Sequence, residues 1–306
     1  MNDLPPLRDV INRYDLGARK SLGQHFLLDL NLCARIARTA GKLNDTNIIE
    51  IGPGPGGLTR ALLDAGAARV VAVEHDHRCV AALAELQDAY PDRLEIIEAD
   101  ALETDVTALV LAPRRVVANL PYNIATPLLL GWLRRITDFE GLTLMFQKEV
   151  AERLAAKPRG KSYGRLSIIT QWLCDVRLEF NVSKQAFTPP PKVASSVVTL
   201  TPRAQPLAPA DWNSLEAVTA LAFAMISAKT KPGAPLGAWR TPTMGVLSIA
   251  GIAQAAAIAL LIPQAWQAGK IETALADTAA RPVCGDYPNE DWPNEDWPNE
   301  DWPNED

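Results

Sequence analysis

The feature that most restricts the fold of this chain is a sustained alternation between residues 47 and 200. Short runs rich in Val and Ile, at 47–51, 69–73, 94–97 and 115–118, are separated by stretches of helical spacing such as 58–65 and 78–89. Runs at 142–146 and 197–201 continue the theme, and 165–173 satisfies either a strand or a helix. Strands that are apolar at nearly every position must be covered on both faces. The intervening helices provide that cover, so the expected fold class is α/β, a Rossmann-like parallel sheet with helices on both faces. A further helix is expected at 31–41, ahead of the sheet.

A chain of 306 residues has room for this domain, expected at 1–202, and for a small C-terminal region at 203–285. Within the latter, 211–224 has helical spacing with Asp211 or Asn213 as N-cap. Residues 229–243 are rich in Pro and Gly, and 244–262 are uncharged and rich in Ala. Nineteen uncharged residues are long enough to span a bilayer. Their weak hydrophobicity instead favours a buried or misfolded segment. Residues 286–306 repeat Pro-Asn-Glu-Asp-Trp, and a proline at every fifth position amid dense negative charge predicts a disordered tail.

That tail carries nine of the 36 acidic residues and dominates the net charge of −6. Between positions 134 and 203 there are twelve Lys and Arg against six Asp and Glu, enough for a local basic face toward a polyanion. The four cysteines (Cys33, Cys79, Cys174 and Cys284) form no close pair and read as reduced thiols. His25, His75 and His77 form no ligand cluster, so no metal is expected. Positions 1–14 show no secretory pattern, and a cytoplasmic, monomeric protein without a membrane partner is expected.

Four segments carry chemistry. Glu50-Ile51-Gly52-Pro53-Gly54-Pro55-Gly56-Gly57 follows a strand and opens a helix. Gly52, Gly54 and Gly57 match the dinucleotide fingerprint formally. Pro53 and Pro55, however, have no N–H to offer a pyrophosphate, so a phosphate-free cofactor such as S-adenosylmethionine suits the loop better than a nicotinamide dinucleotide. Glu74 ends the next strand, 22 positions after Gly52, where a carboxylate reaches ribose hydroxyls. Asp100 follows the third strand and either accepts from an adenine amino group or caps the following turn. Asn119-Leu120-Pro121-Tyr122 ends the fourth strand. An exocyclic adenine amine is a poor nucleophile until its N–H groups are held by acceptors. The Asn119 side-chain oxygen and the Leu120 carbonyl are such acceptors, Pro121 stiffens the turn, and Tyr122 offers a stacking face.

Together with Lys20-Ser21-Leu22-Gly23-Gln24-His25-Phe26-Leu27 and Phe187-Thr188-Pro189-Pro190-Pro191-Lys192-Val193-Ala194-Ser195, these segments stand in the order of a known family. Over residues 10–220 the chain resembles the small-subunit ribosomal RNA adenine dimethyltransferases, of the KsgA type. The resemblance implies a Rossmann-like methyltransferase sheet and an atypical C-terminal region. It implies an S-adenosylmethionine site made by His25, Leu27, Gly52, Gly54, Glu74, Asp100 and Asn119, with His25 standing where the family often has Asn. It further implies catalytic roles for Asn119, Leu120, Pro121 and Tyr122, with Phe187 stacking on the target base opposite Tyr122. The implied partner is small-subunit ribosomal RNA in the immature 30S particle, dimethylated at N6 of two adjacent adenosines near its 3′ end. Residues 157–165 are then an RNA-facing loop. The alternatives are a large-subunit adenine methyltransferase and an assembly factor that keeps the fold without turnover.

The resemblance ends near Phe223, where a basic helical stretch is expected and charge-poor sequence stands instead. Residues 224–285 are therefore expected to be an out-of-frame or otherwise altered C-terminus. The gene read in its two other frames should reveal a helical, Arg-rich sequence, and its absence from both would remove the explanation.

Overall fold

The computed structural model describes residues 4–19 and 23–230. In chain order the helices are α1 (Leu7–Arg13), α2 (Leu30–Thr39), α3 (Gly57–Asp64), α4 (His77–Ala89), α5 (Val106–Leu109), α6 (Tyr122–Leu133), α7 (Lys148–Leu154), α8 (Arg165–Leu173) and α9 (Trp212–Thr230). The strands are β1 (Phe26–Leu27), β2 (Asn47–Ile51), β3 (Arg69–Glu74), β4 (Leu94–Glu98), β5 (Arg114–Asn119), β6 (Gly141–Gln147), β7 (Cys174–Val182), β8 (Phe187–Thr188) and β9 (Ser195–Pro202). Seven of them form one sheet in the order β4-β3-β2-β5-β6-β9-β7, and β1 pairs with β8.

The sheet shows why its strands are apolar throughout. Ile48, Val70, Ala72, Val117, Met145 and Val197 face one core, shared with α2, α3 and α4. Their immediate neighbours Ile49, Val71, Val73, Val116, Ala118, Leu144 and Val198 face the other, shared with α6, α7, α8 and α9. Successive side chains point to opposite faces of a strand, and here both faces are dry. A third, small cluster joins Val10, Leu16 and Phe26 to Cys79 and Ala82 of α4. Each core holds a reduced, buried thiol: Cys33, Cys174 and Cys79 respectively. Burial pushes Cys33 and Cys174 up to about 12, and Cys79 is raised by the same cause.

The α/β class and the two-sided cover agree with expectation; the sheet is not parallel throughout. Strands β4, β3, β2, β5 and β6 are parallel, whereas β9 runs antiparallel to β6 and β7 antiparallel to β9. The ambiguous stretch 165–173 is helix α8. Strand β7 was not foreseen. It is mostly solvent-facing, with a register irregularity between Leu178 and Phe180, as suits an edge strand.

Helix α9 is capped by Asp211, whose carboxylate accepts from the Ser214 N–H at 2.9 Å, which decides between the two candidate caps. Leu215 and Ala222 of α9 belong to the same core as α8, and the Trp172 indole donates to the Ala208 carbonyl at 2.8 Å. Packing is thus continuous across position 202, where a domain boundary was expected. The apolar stretch 244–262, the remainder of the 203–285 region and the 286–306 tail lie outside the described residues. Among the described residues no helix is long and apolar enough to cross a membrane.

One side chain closes the turn between α3 and β3. The Arg93 guanidinium donates to the Leu63 carbonyl at 2.6 Å and to the Ala67 carbonyl at 2.8 Å. A cation at a helix C-terminus satisfies carbonyls that the helix cannot. Arg93→Met keeps the stem and removes the donors. It is expected to lower stability by about 1–3 kcal/mol, measured by urea unfolding; an unchanged midpoint would show that the turn holds without it.

Candidate active site

The strand order reverses at β2: the chain passes through α3 to β3 on one side, while β5 lies on the other. Such a reversal opens a crevice at the carboxyl ends of the strands. Here it is a cavity of about 230 Å³. The loop after β2, the ends of β3, β4 and β5, and the segment 23–27 line it.

The loop after β2 requires glycine. Gly54 has φ +55°, and a Cβ there would meet the Phe26 ring at 3.0 Å. Its N–H donates to Glu74 Oε2 at 3.0 Å. Glu74 Oε1 accepts from the His75 and Asp76 N–H groups, both at 2.9 Å. One buried carboxylate therefore ties the glycine loop to the start of α4. Burial raises the Glu74 pKa, and the three N–H donors oppose the rise.

Asp76 carries the connection outward. Its carboxylate takes the Arg78 guanidinium at 2.7 Å and the Gln24 amide at 3.0 Å. Arg78 also donates to the carbonyls of Asp15 and Gly17. With Arg78 as the first cause, the Asp76 carboxyl is held well below its usual range. The segment before β1 is thereby drawn to the cavity, where β1 pairs with β8 and places Leu27 opposite Phe187.

On the β5 side, the Asn119 amide donates to the His25 carbonyl at 3.3 Å. A carbonyl can only accept, so the amide NH₂ must lie on that side and Oδ1 is left as an acceptor. Leu120 lines the cavity while its side chain is buried in the core, so its polar contribution is backbone. The Tyr122 hydroxyl bonds Ser195 Oγ at 2.6 Å, and its ring lies 5.6 Å from that of His25. Burial raises the Tyr122 pKa and the Ser195 bond opposes it. His25 Nδ1 lies 2.8 Å from the Pro189 carbonyl, so Nδ1 carries the proton and Nε2 is free to accept in the neutral ring. One Asp100 oxygen accepts from the Leu102 N–H at 2.8 Å. The turn-capping role and a place on the cavity wall thus coexist.

His25, Leu27, Gly52, Gly54, Glu74, Asp100, Asn119, Leu120, Pro121 and Tyr122 all line the one cavity. Phe187 does not. It is 2% exposed and packs with Leu27, Val182 and Val197, so its ring has no open face for a base in this conformation. Tyr122, with His25 beside it, presents the aromatic surface instead. Sequence reasoning assigned no role to Glu50, Gln24, Asp76, Arg78 or Ser195. Glu50 and Ser195 stood inside quoted motifs; Asp76 and Arg78 carried no signal beyond a helix start. Among the described residues the cavity is lined by three carboxyl groups, from Glu50, Glu74 and Asp100, and by no Lys or Arg. Among the described residues no group of His, Cys, Asp and Glu could hold a metal ion.

A parallel sheet ending in an antiparallel pair, with a proline-bearing glycine loop and an acid-lined cavity at its switch point, defines an α/β methyltransferase. The family model for ribosomal RNA adenine dimethylase matches residues 16–230. The chain belongs to this family and is an enzyme, a methyltransferase. It is 66% identical over 223 residues to ribosomal RNA small subunit methyltransferase A of Paramagnetospirillum magneticum, covering 73% of this chain and 79% of the relative. The Rhodospirillum rubrum protein of the same name is 64% identical over 220 residues, covering 72% and 76%. Among solved structures, a dimethyladenosine transferase from Plasmodium falciparum is similar at 33% identity and TM-score 0.53, covering 58% of this chain and 64% of that one. The 23S rRNA methyltransferase ErmE is similar at 32% identity and TM-score 0.55, covering 66% and 80%.

Glu74→Gln tests the central tie. Each carboxylate oxygen accepts at least one backbone N–H, so an amide NH₂ in either place faces a donor. The variant is expected to lose about 1–3 kcal/mol of stability, read from guanidinium unfolding. A loss under about 0.5 kcal/mol, the ordinary surface range, would show that these bonds do not hold the loop.

Proposed function

We propose that this chain transfers methyl groups from S-adenosylmethionine to N6 of two adjacent adenosines near the 3′ end of small-subunit ribosomal RNA, during maturation of the particle. The observation that carries the reading is the shared cavity, which joins Glu74 and Asp100 to the Asn119–Tyr122 turn. The residues fit the donor. Its adenosine would lie with ribose hydroxyls toward Glu74 and the base toward Asp100, at the ends of β3 and β4, with His25, Leu27, Gly52 and Gly54 around it. A cavity lined, among the described residues, by three carboxyl groups and no Lys or Arg favours a cationic ligand and disfavours a pyrophosphate, which also argues against a nicotinamide dinucleotide.

When bound, S-adenosylmethionine supplies a methyl group on a positively charged sulfur. The chain's part is to present the nucleophile. Asn119 Oδ1 and the Leu120 carbonyl accept from the adenine amine, which turns its lone pair out of the ring plane. Tyr122, held by Ser195, provides a preset face against which the base stacks. The base must first leave its helical stack. Alignment supplies most of the acceleration, and the amine's proton leaves to water after attack. The small-subunit substrate is favoured over a large-subunit one by the names of the relatives at 64–66% identity, against 32% for the 23S enzyme.

The test is methyl transfer from labelled donor to immature small ribosomal subunits, with mapping of the modified base. Dimethylated adjacent adenosines are expected; no incorporation would favour an assembly factor without turnover. In the same assay Asn119→Ala should lower turnover by about a hundredfold or more while donor binding is partly kept. Unchanged turnover would refute the role of the amide.

A further inference from the structure

Glu50 lies on β2 and lines the cavity, yet it is 1% exposed. Its Oε2 has no hydrogen-bond partner. The groups that face the carboxyl are the Cys33 thiol from α2, the Thr59 hydroxyl from α3 and Glu74 from β3. None is a cation. Burial pushes the Glu50 carboxyl up to about 8; the Thr59 hydroxyl opposes the rise and the Glu74 charge adds to it. An ionised carboxylate in such a place is costly unless a positive group completes it. The reading above sets adenosine over β3 and β4. The other end of the donor, with its sulfonium and α-ammonium groups, then falls over β2.

Resting on that reading, we propose that Glu50 is a proton-linked counter-charge: neutral in the empty cavity, it ionises as the donor's cationic end enters and gives its proton to solvent. The site thereby selects cationic adenosine ligands over uncharged ones. Below about pH 7.5 the donor must displace this proton, so its affinity rises with pH there; nearer 8 the donor's own α-ammonium begins to lose its proton and the rise ends. In the absence of ligand the sign for folding is opposite. The native state holds the proton through the window from the ordinary carboxylate value of 4.5 up to about 8, so stability falls as pH climbs through it.

Calorimetric titration of the full chain with S-adenosylmethionine at pH 7, in two buffers of different ionisation enthalpy, counts the protons directly. Release of roughly one proton per donor is expected. 5′-Methylthioadenosine, which keeps the adenosine and carries neither positive group, should bind with none. Glu50→Gln should bind 5′-methylthioadenosine like the wild type, which also controls for folding. It should release no proton with S-adenosylmethionine, bind it roughly tenfold more weakly, and show no rise in affinity between about pH 6.5 and 7.5, below the range where the donor's own ammonium titrates. Binding of both ligands without proton release, or equal release with both, overturns the proposal and leaves the donor reading standing. Failure of the wild type to bind either ligand overturns the donor reading itself, and the proposal with it.

Discussion

Three backbone N–H groups converge on the Glu74 carboxylate, and the geometry of the site follows from that convergence. A glycine loop with positive φ has little conformational preference of its own. The carboxylate at the end of the neighbouring strand supplies what the loop lacks. From there the bonds run outward through Asp76 to Arg78 and Gln24, and so to the segment that carries His25. The His25 carbonyl in turn fixes the amide of Asn119. Donor-side and acceptor-side residues, nearly a hundred positions apart in the chain, are thus oriented by one continuous set of hydrogen bonds.

The second constraint is charge. Three carboxyl groups without a Lys or Arg among the described lining residues form an unusual wall for a nucleotide pocket, and a positively charged nucleoside suits it better than a phosphate-bearing one. The same field disfavours the RNA phosphates from entering, so the target base must come in alone. On the proposed reading, Tyr122 and the acceptors of the 119–120 turn would meet it at the mouth, the Tyr122 hydroxyl being held by Ser195.

Much of this was legible in the residues. The Val- and Ile-rich runs located β2 to β6 and β9 because a doubly covered strand leaves little room for polar positions. The proline-bearing glycine loop, Glu74, Asp100 and Asn119–Tyr122 were singled out because strand ends are where such sheets bind, and these segments do line one cavity. The edge strand β7 was missed although Cys174, Val176, Leu178, Phe180 and Val182 alternate with Asp175, Arg177, Glu179 and Asn181. That period of two marks a half-covered strand, and the search for continuous apolar runs passed over it. The burial of Phe187 was not legible, since it follows from the pairing of β1 with β8, two short strands about 160 residues apart. Nor was Glu50: a carboxyl inside a motif gives no sign that one of its oxygens will be left without a donor.

The distribution of cysteine has a practical consequence. Cys33, Cys79 and Cys174 each sit in a different one of the three apolar clusters, fully covered and strongly disfavoured as thiolates. In the native state they are silent toward alkylating reagents. Timed modification followed by peptide mapping would therefore read out, thiol by thiol, the order in which the two sides of the sheet and the N-terminal flap of the molecule come apart. The chain carries its own internal clock for local opening, with no label introduced.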